Sequence, residues 1–291
     1  MSATPLYSGF APLAERYDGF IVDLWGVLHD GVAAFPDAVA CLEELKSRGK
    51  RIVILSNAPR RAQEVMQRNQ ELGIAPELAD AVYSSGEDAW RHLKDRADPW
   101  TRRLGRRCYH LGPERDHGMR DGLDYNFVQD LGDADFVLLT GTHSYDAVVG
   151  DYDDVLQAAK ARDLAMICAN PDLEVIRGGK REICAGALAA AYEDLGGQVR
   201  YHGKPHQDIY AACLPLLQVS ERQRVAAIGD SLRTDVAGAN GAGIGSVFVC
   251  DGIHGETLGL GPGQTPDPAR LEALYGAAGQ FPSAAVPTLR W

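Results

Sequence analysis

Several features that would settle a protein's class early are missing here. No apolar run approaches the roughly 20 residues needed to cross a bilayer, and the opening "MSATPLYSGFAPLAERYDG" has neither the basic nor the apolar region of a secretory signal. A cytoplasmic protein with no membrane partner is expected. The six cysteines, at 41, 108, 168, 184, 213 and 250, form no CxxC pair and no Cys/His cluster. That excludes the usual zinc and disulfide frameworks and leaves reduced core thiols. Positive charge is also scarce, with 29 Lys and Arg against 40 Asp and Glu and a net charge of −11. A broad nucleic-acid or anionic-lipid surface must supply cations to many phosphates, so no nucleic-acid partner is expected either, although one small phosphate is still allowed. The single basic run, "TRRLGRR" from Thr101 to Arg107, reads as a solvated loop. There is no internal repeat and no low-complexity tract.

What is present is the profile of a globular protein with many tight turns: 291 residues, 45% hydrophobic, 24% charged, 32 glycines. That length can bury one large core or a core with a sizeable inserted module. Apolar runs alternate with amphipathic, helix-length segments along the chain, the signature of βα units and a mainly parallel sheet. Strands are predicted at Phe20 to Leu24, Arg51 to Ser56 and "AVYSS", with helices in "DAVACLEELKSRGK" and "RAQEVMQRNQELG". A second series begins near Gly86, with strands at "RCYHLG", "NFVQD", "DFVLLTG" and "AMICAN" and helices at "YDDVLQAAKARD" and "AGALAAAYEDLGG". Long apolar runs return at "RVAAIGD" and "GSVFVC". The last 30 or so residues, rich in Gly and Pro, read as a short closing element and a surface tail. No linker marks a border by composition.

Four polar clusters fall just beyond predicted strand ends, which share one edge in a parallel sheet. Asp23 follows "FIV", Ser56 and Asn57 follow "IVIL", Lys204 lies in "YHGKP", and Asp230 ends "VAAIGD" with Asp235 five residues on. Two carboxylates with a backbone carbonyl suit octahedral Mg²⁺, which keeps waters and accepts a phosphate oxygen. A lysine neutralises further phosphate charge, and Ser56 precedes a helix whose N-terminal amides favour an anion. An aspartate in line with phosphorus can form an aspartyl-phosphate intermediate. Taken singly, each cluster reads equally well as a helix cap or turn. Gly238, Gly241 and Gly243 have the wrong order for a dinucleotide fingerprint and follow a helix. Order and placement together make the site.

The succession "DLWGVLHDG", "ILSNAPR", "GKPHQDIY", "GDSLRTDVAGANGAG" resembles the four motifs of the haloacid dehalogenase superfamily, in particular its class IIA, NagD-like phosphatases. "ANPDL", Ala169 to Leu173, and "GAL", Gly186 to Leu188, resemble the cap pattern of that class. The resemblance spans roughly Gly19 to Gly252. It implies an α/β fold with a Rossmann-like parallel-sheet core over residues 1–86 and 201–291 and an inserted α/β, C2-type cap over 87–200. It implies a Mg²⁺-dependent hydrolase of small phosphorylated metabolites. Asp23 would be nucleophile and metal ligand, with the Trp25 carbonyl and Asp230 as further ligands and Asp235 supporting them. Ser56 and Asn57 would hold the phosphoryl group, and Lys204 would pair with it and with Asp23. His143, Tyr145 and Arg177 are candidates for substrate selection by the cap. Relatives of this class often pair through their caps, so a homodimer is an expected partner state.

The pattern departs from the superfamily's phosphatases at Trp25, where they carry a second aspartate. That acid protonates the leaving alkoxide and later activates water, work that contributes about 10²- to 10⁴-fold. An indole does neither. The favoured expectation is a phosphatase whose proton transfers are slow or come from another group, His29 or Asp30 on the following turn. One alternative is other chemistry on the same nucleophile, as in relatives that cleave carbon–halogen or carbon–phosphorus bonds. The other is a phosphate-binding regulatory protein with little turnover.

Overall fold

In the computed structural model, which describes residues 4–261 and 264–291, the predicted alternation becomes two parallel sheets and a small hairpin. The chain first forms β1 (Gly19–Val22), β2 (Arg51–Ser56) and β3 (Ala81–Ser84). It then builds β4 (Arg107–Leu111), β5 (Asn126–Val128), β6 (Phe136–Leu139), β7 (Ala165–Cys168), the pair β8 (Glu174–Arg177) and β9 (Lys180–Ile183), and β10 (Val199–Tyr201). It closes with β11 (Val225–Gly229), β12 (Gly245–Val249) and β13 (Ala284–Val286). One sheet has six strands in the order β13-β12-β11-β1-β2-β3, the other five in the order β10-β7-β6-β4-β5, and β8 and β9 pair antiparallel.

The strand sequences are continuously apolar because both faces of each sheet are covered. Side chains alternate along a strand, so Phe20 and Val22 join Ile52 and Ile54 in one core cluster while Ile21 joins Val53 and Leu55 in the cluster opposite. The five-stranded sheet repeats the scheme, with Val137, Leu139 and Met166 on one face and Phe136, Leu138 and Ile167 on the other. All six cysteines are buried and unpaired. No helix among the described residues is long and apolar enough to cross a membrane.

In the six-stranded sheet the chain moves outward from β1 to β2 and β3 on one side, and later from β11 to β12 and β13 on the other. β1 and β11 are neighbours, so the strand order reverses between them, and ligands of open parallel sheets bind at such a point. β1 ends at Val22, two residues before the expected Leu24, although the Asp23 amide still donates to the Ile228 carbonyl at 2.9 Å. The chain leaves this sheet through the helix Ser85–Asp95, whose Ser84 side chain caps it by accepting from the Glu87 amide. It returns through Gly203, whose φ of +115° suits glycine and where a Cβ would sit 2.6 Å from the Asn57 carboxamide oxygen.

The short closing element expected at the C-terminal end is the helix Pro268–Ala278 with the edge strand β13, and that strand is fully buried where a surface tail was expected. Three alanine-rich residues are too short to show a strand period. β8, β9 and the helix Gln207–Leu217 were also not foreseen. The two hairpin strands are rich in charge and only partly buried, so they lack the apolar alternation of a half-buried strand.

Candidate active site

The carboxyl ends of β1, β2 and β11 converge, as their placement in the sequence predicts. Asp23 lies one residue past β1, Ser56 ends β2 and Asp230 follows β11. Asp235 sits in a single wide helical turn, Leu232–Val236, that directs it back under the sheet edge. Lys204 arrives from the returning chain, and its ammonium lies 2.6 Å from Asp23 Oδ1 and 2.7 Å from Asp235 Oδ1. Oxygens of Asp23, Asp230 and Asp235 all lie within 4.8 Å of one another, and all three residues are buried. Gly26, at φ +74°, lets the turn after β1 pass close by, since a Cβ there would collide with the Asp230 carboxylate.

One buried ammonium thus faces three buried carboxylates. Burial would lower the pKa of Lys204, but the carboxylates of Asp23 and Asp235 outweigh it and hold the ammonium well above its usual range. Burial pushes Asp23 up, with Asp235 and Asp230 adding to the rise and Lys204 opposing it. Burial and the neighbouring Asp235 carry Asp230 to about 7. Excess negative charge of this kind is what a divalent cation neutralises, and an all-oxygen donor set suits a hard ion such as Mg²⁺. One Asp230 oxygen is engaged by the Ile253 amide at 2.7 Å and one Asp235 oxygen by the Ser231 amide at 3.1 Å, which orients both carboxylates.

Asn57 has a different use from the one its motif implies. Its side-chain oxygen accepts from the Lys204 amide at 2.8 Å, and its nitrogen donates to the Lys204 carbonyl at 3.2 Å and to Asp172 Oδ1 at 2.9 Å. With all its groups engaged, the carboxamide fixes the Lys204 backbone instead of facing a phosphoryl oxygen. The Ser56 hydroxyl accepts from the Ala58 amide at 3.2 Å and retains its own proton to donate.

A cavity of about 720 Å³ opens above these groups, and both sheets line it. Trp25 lies on its wall: the indole N–H donates to the Ile176 carbonyl of the β8–β9 hairpin at 2.7 Å. The Arg177 guanidinium lies between two rings, 4.7 Å from the Trp25 centroid and 4.9 Å from that of Tyr145, and pairs with Glu182 at 3.0 Å. The chain therefore places Tyr145 and Arg177 on the cavity. His143 is not on that wall; it is exposed and stacks on Tyr152. Arg115, not foreseen from sequence, also lines the cavity and lies over the Tyr145 ring at 4.6 Å from its centroid. An arginine in a short 3-10 turn with no motif around it leaves no sequence signal. Asp172, within "ANPDL", also lines the cavity and was not singled out among the reactive groups.

Known proteins resemble this chain along most of its length. The family pattern described as haloacid dehalogenase-like hydrolase matches residues 20–126, and the one described as HAD-hydrolase-like matches residues 201–274. A crystal structure of a haloacid dehalogenase-like hydrolase from Brucella suis is 31% identical, covers 97% of this chain and 99% of its own, and superposes with a TM-score of 0.83. Escherichia coli ribonucleotide monophosphatase NagD is 29% identical over 238 residues, 80% of this chain and 87% of that protein. A 4-nitrophenylphosphatase of Schizosaccharomyces pombe is 26% identical over 270 residues, 83% of this chain and 86% of that one.

Proposed function

Because this chain belongs to the haloacid dehalogenase-like hydrolases, among their class IIA, NagD-like phosphatases, we propose that it hydrolyses a small phosphorylated metabolite through an aspartyl-phosphate on Asp23, with Mg²⁺ bound. The observation that carries this reading is the placement of Asp23, Lys204, Asp230 and Asp235 at the point where the strand order reverses. Asp23 and Asp230 would hold the ion with the Trp25 carbonyl, supported by Asp235, and the bound ion would neutralise phosphate charge.

Asp23 attacks phosphorus, the bond to the leaving oxygen breaks, and the acyl phosphate is then cleaved by water to return the free carboxylate. Lys204, held charged by its two aspartates, keeps the Asp23 carboxylate aimed and adds its charge to the phosphoryl group. The Ser56 hydroxyl and the amides after β2 hold the phosphoryl oxygens. Residues 87–200, in this reading, form the cap inserted into a core of 1–86 and 201–291, and they exclude water from the cavity. Tyr145 and Arg177 select the leaving group.

Phosphate release from a panel of phosphorylated metabolites and nitrophenyl phosphate, measured with and without Mg²⁺, tests the reading. The wild type should turn over only with the ion, fastest on nitrophenyl phosphate, and Asp23→Asn should lose at least about 10³-fold. Equal rates for the two proteins, or no need for Mg²⁺, would overturn it.

A further inference from the structure

The aspartyl-phosphate reading leaves a gap: an alkoxide leaving group needs a proton, and the position that supplies it in related phosphatases is Trp25. His29 cannot fill it. Its Nδ1 accepts from the Gly31 amide at 3.0 Å, its ring packs edge-on against Trp25, it is absent from the cavity wall, and burial takes it down to about 4. Asp30 does reach the cavity, but its Oδ1 accepts from the Val32 and Ala33 amides, both at 2.8 Å. Against the effect of burial, these amides hold its carboxyl below the usual range, which makes it a poor proton donor.

Asp172 has the opposite setting. It lies on the cavity wall, in the loop after β7, beside the turn that follows β2. That loop is fixed from three sides: Asp172 Oδ1 accepts from Asn57 Nδ2 at 2.9 Å, the Asp172 amide donates to Asn170 Oδ1 at 3.0 Å, and the Pro171 carbonyl accepts from Arg233 at 2.6 Å. Asn57 follows Ser56, so the turn that holds the phosphoryl group also holds Asp172. Its second carboxyl oxygen has no hydrogen-bond partner or ion pair among the described residues. We infer that Asp172 is the general acid and base of this enzyme, in place of the residue that Trp25 displaces.

When Asp23 displaces the leaving group, the electron pair of the breaking P–O bond goes to the departing oxygen, and the Asp172 carboxyl gives that oxygen its proton. In the second step water attacks phosphorus, the Asp172 carboxylate takes the water's proton, and the Asp23–phosphorus bond breaks to release phosphate. The surroundings shift the Asp172 carboxyl in the direction a proton donor needs. Burial raises the Asp172 carboxyl, and Asp235 adds to the rise, while Lys204, the Asn57 hydrogen bond and Arg233 oppose it. Asp230 and the Cys184 thiol also feel its charge.

This inference rests on the aspartyl-phosphate reading, and the leaving group separates the two. Nitrophenolate departs without a proton; glycerolate does not. In Asp172→Asn with Mg²⁺, turnover of glycerol phosphate should fall about 10²- to 10⁴-fold. The first-turnover burst of nitrophenolate should stay within about 10-fold of wild type, with slower steady-state release because the attacking water has lost its base. The decline of glycerol phosphate turnover at high pH, where the acid is spent, should vanish in the variant. Thermal stabilisation by inorganic phosphate with Mg²⁺ should persist.

Equal losses in the glycerol phosphate rate and the nitrophenolate burst, or no loss on glycerol phosphate, would overturn the assignment. If Asp172→Asn loses the phosphate-induced stabilisation, Asp172→Ala with added formate decides: restored glycerol phosphate turnover supports the role and no restoration overturns it. A nitrophenolate burst that survives in Asp23→Asn would instead overturn the aspartyl-phosphate reading.

Discussion

At the carboxyl edge of the six-stranded sheet stand Asp23, Asp230 and Asp235 with Lys204 among them; across the same cavity, the edge of the five-stranded sheet offers Thr140, Thr142 and Asn170. Both sheets are parallel and both bury apolar runs on two faces. The difference lies in how each edge meets the cost of burying polar groups. The second edge satisfies its polar groups within the protein: His110 shares a hydrogen bond with Thr140 at 2.9 Å and accepts from the Arg120 guanidinium at 2.8 Å, and buried Asp116 pairs with Arg60. On the first edge three carboxylates cluster and one ammonium pairs with two of them, which leaves net charge for a ligand to neutralise. Of the two parallel sheets, one thus has an edge that is complete in itself and the other an edge that is completed by what it binds.

Lys204→Met breaks this contrast most severely. It leaves Asp23 and Asp235 without their common cation, and removing one partner of a buried pair costs about 3–5 kcal/mol. Denaturant unfolding near pH 7 without metal should show that loss. Thr140→Val, on the other edge, removes a neutral hydrogen bond to His110 and should cost about 1 kcal/mol. Comparable losses would mean that the first edge is no more strained than the second.

Titration sharpens the comparison, because the two edges answer pH with opposite sign. Buried His110 is held down to about 3 and buried His202 is also lowered, each chiefly by burial, so the unfolded chain binds more protons below about 6.5. Stability from this edge is complete above about 6.5 and falls on acidification. Asp23 is raised and Asp230 lies at about 7, so there the folded state keeps protons that the unfolded chain has released above about 4. That edge loses stability as pH rises toward 7. In a chelated sample, thermal melting from pH 5 to pH 8 should therefore show a broad optimum. Mg²⁺ should raise Tm more at pH 8 than at pH 5, and His110→Asn should flatten only the acid side. A Mg²⁺ effect independent of pH would remove the distinction.

Legibility in the sequence follows the same division. The central strands were readable because two-sided burial demands unbroken apolar runs, and β2 coincides with its predicted span, Arg51–Ser56. Asp23, Ser56, Asp230 and Asp235 were readable because strand ends carry position in their spacing. The role of Asn57 was not, since it depends on the backbone of Lys204, 147 residues away. His143 and Tyr145 lie two residues apart in one loop, and only the folded path puts one on the cavity and the other outside it. Strands β8 and β9 stayed hidden because pairing between short, charged segments leaves no periodic apolar signal.

The smallest expected effect concerns Trp25, which ties the first edge to the hairpin over the cavity. Its indole N–H holds the Ile176 carbonyl and its ring supports Arg177, so a position that elsewhere carries an acid here fixes the cavity's wall. Trp25→Phe keeps a ring beneath the guanidinium and removes one hydrogen bond, a change of about 1 kcal/mol. Steady-state kinetics on nitrophenyl phosphate should show KM rising about 5-fold with kcat within about 2-fold, since wall placement is lost and the proton path through Asp172 is untouched. Trp25→Asp removes the ring as well and should raise KM further. A large gain in its kcat on glycerol phosphate with KM unchanged would show that the indole positions nothing and that the enzyme lacks only an acid at that place.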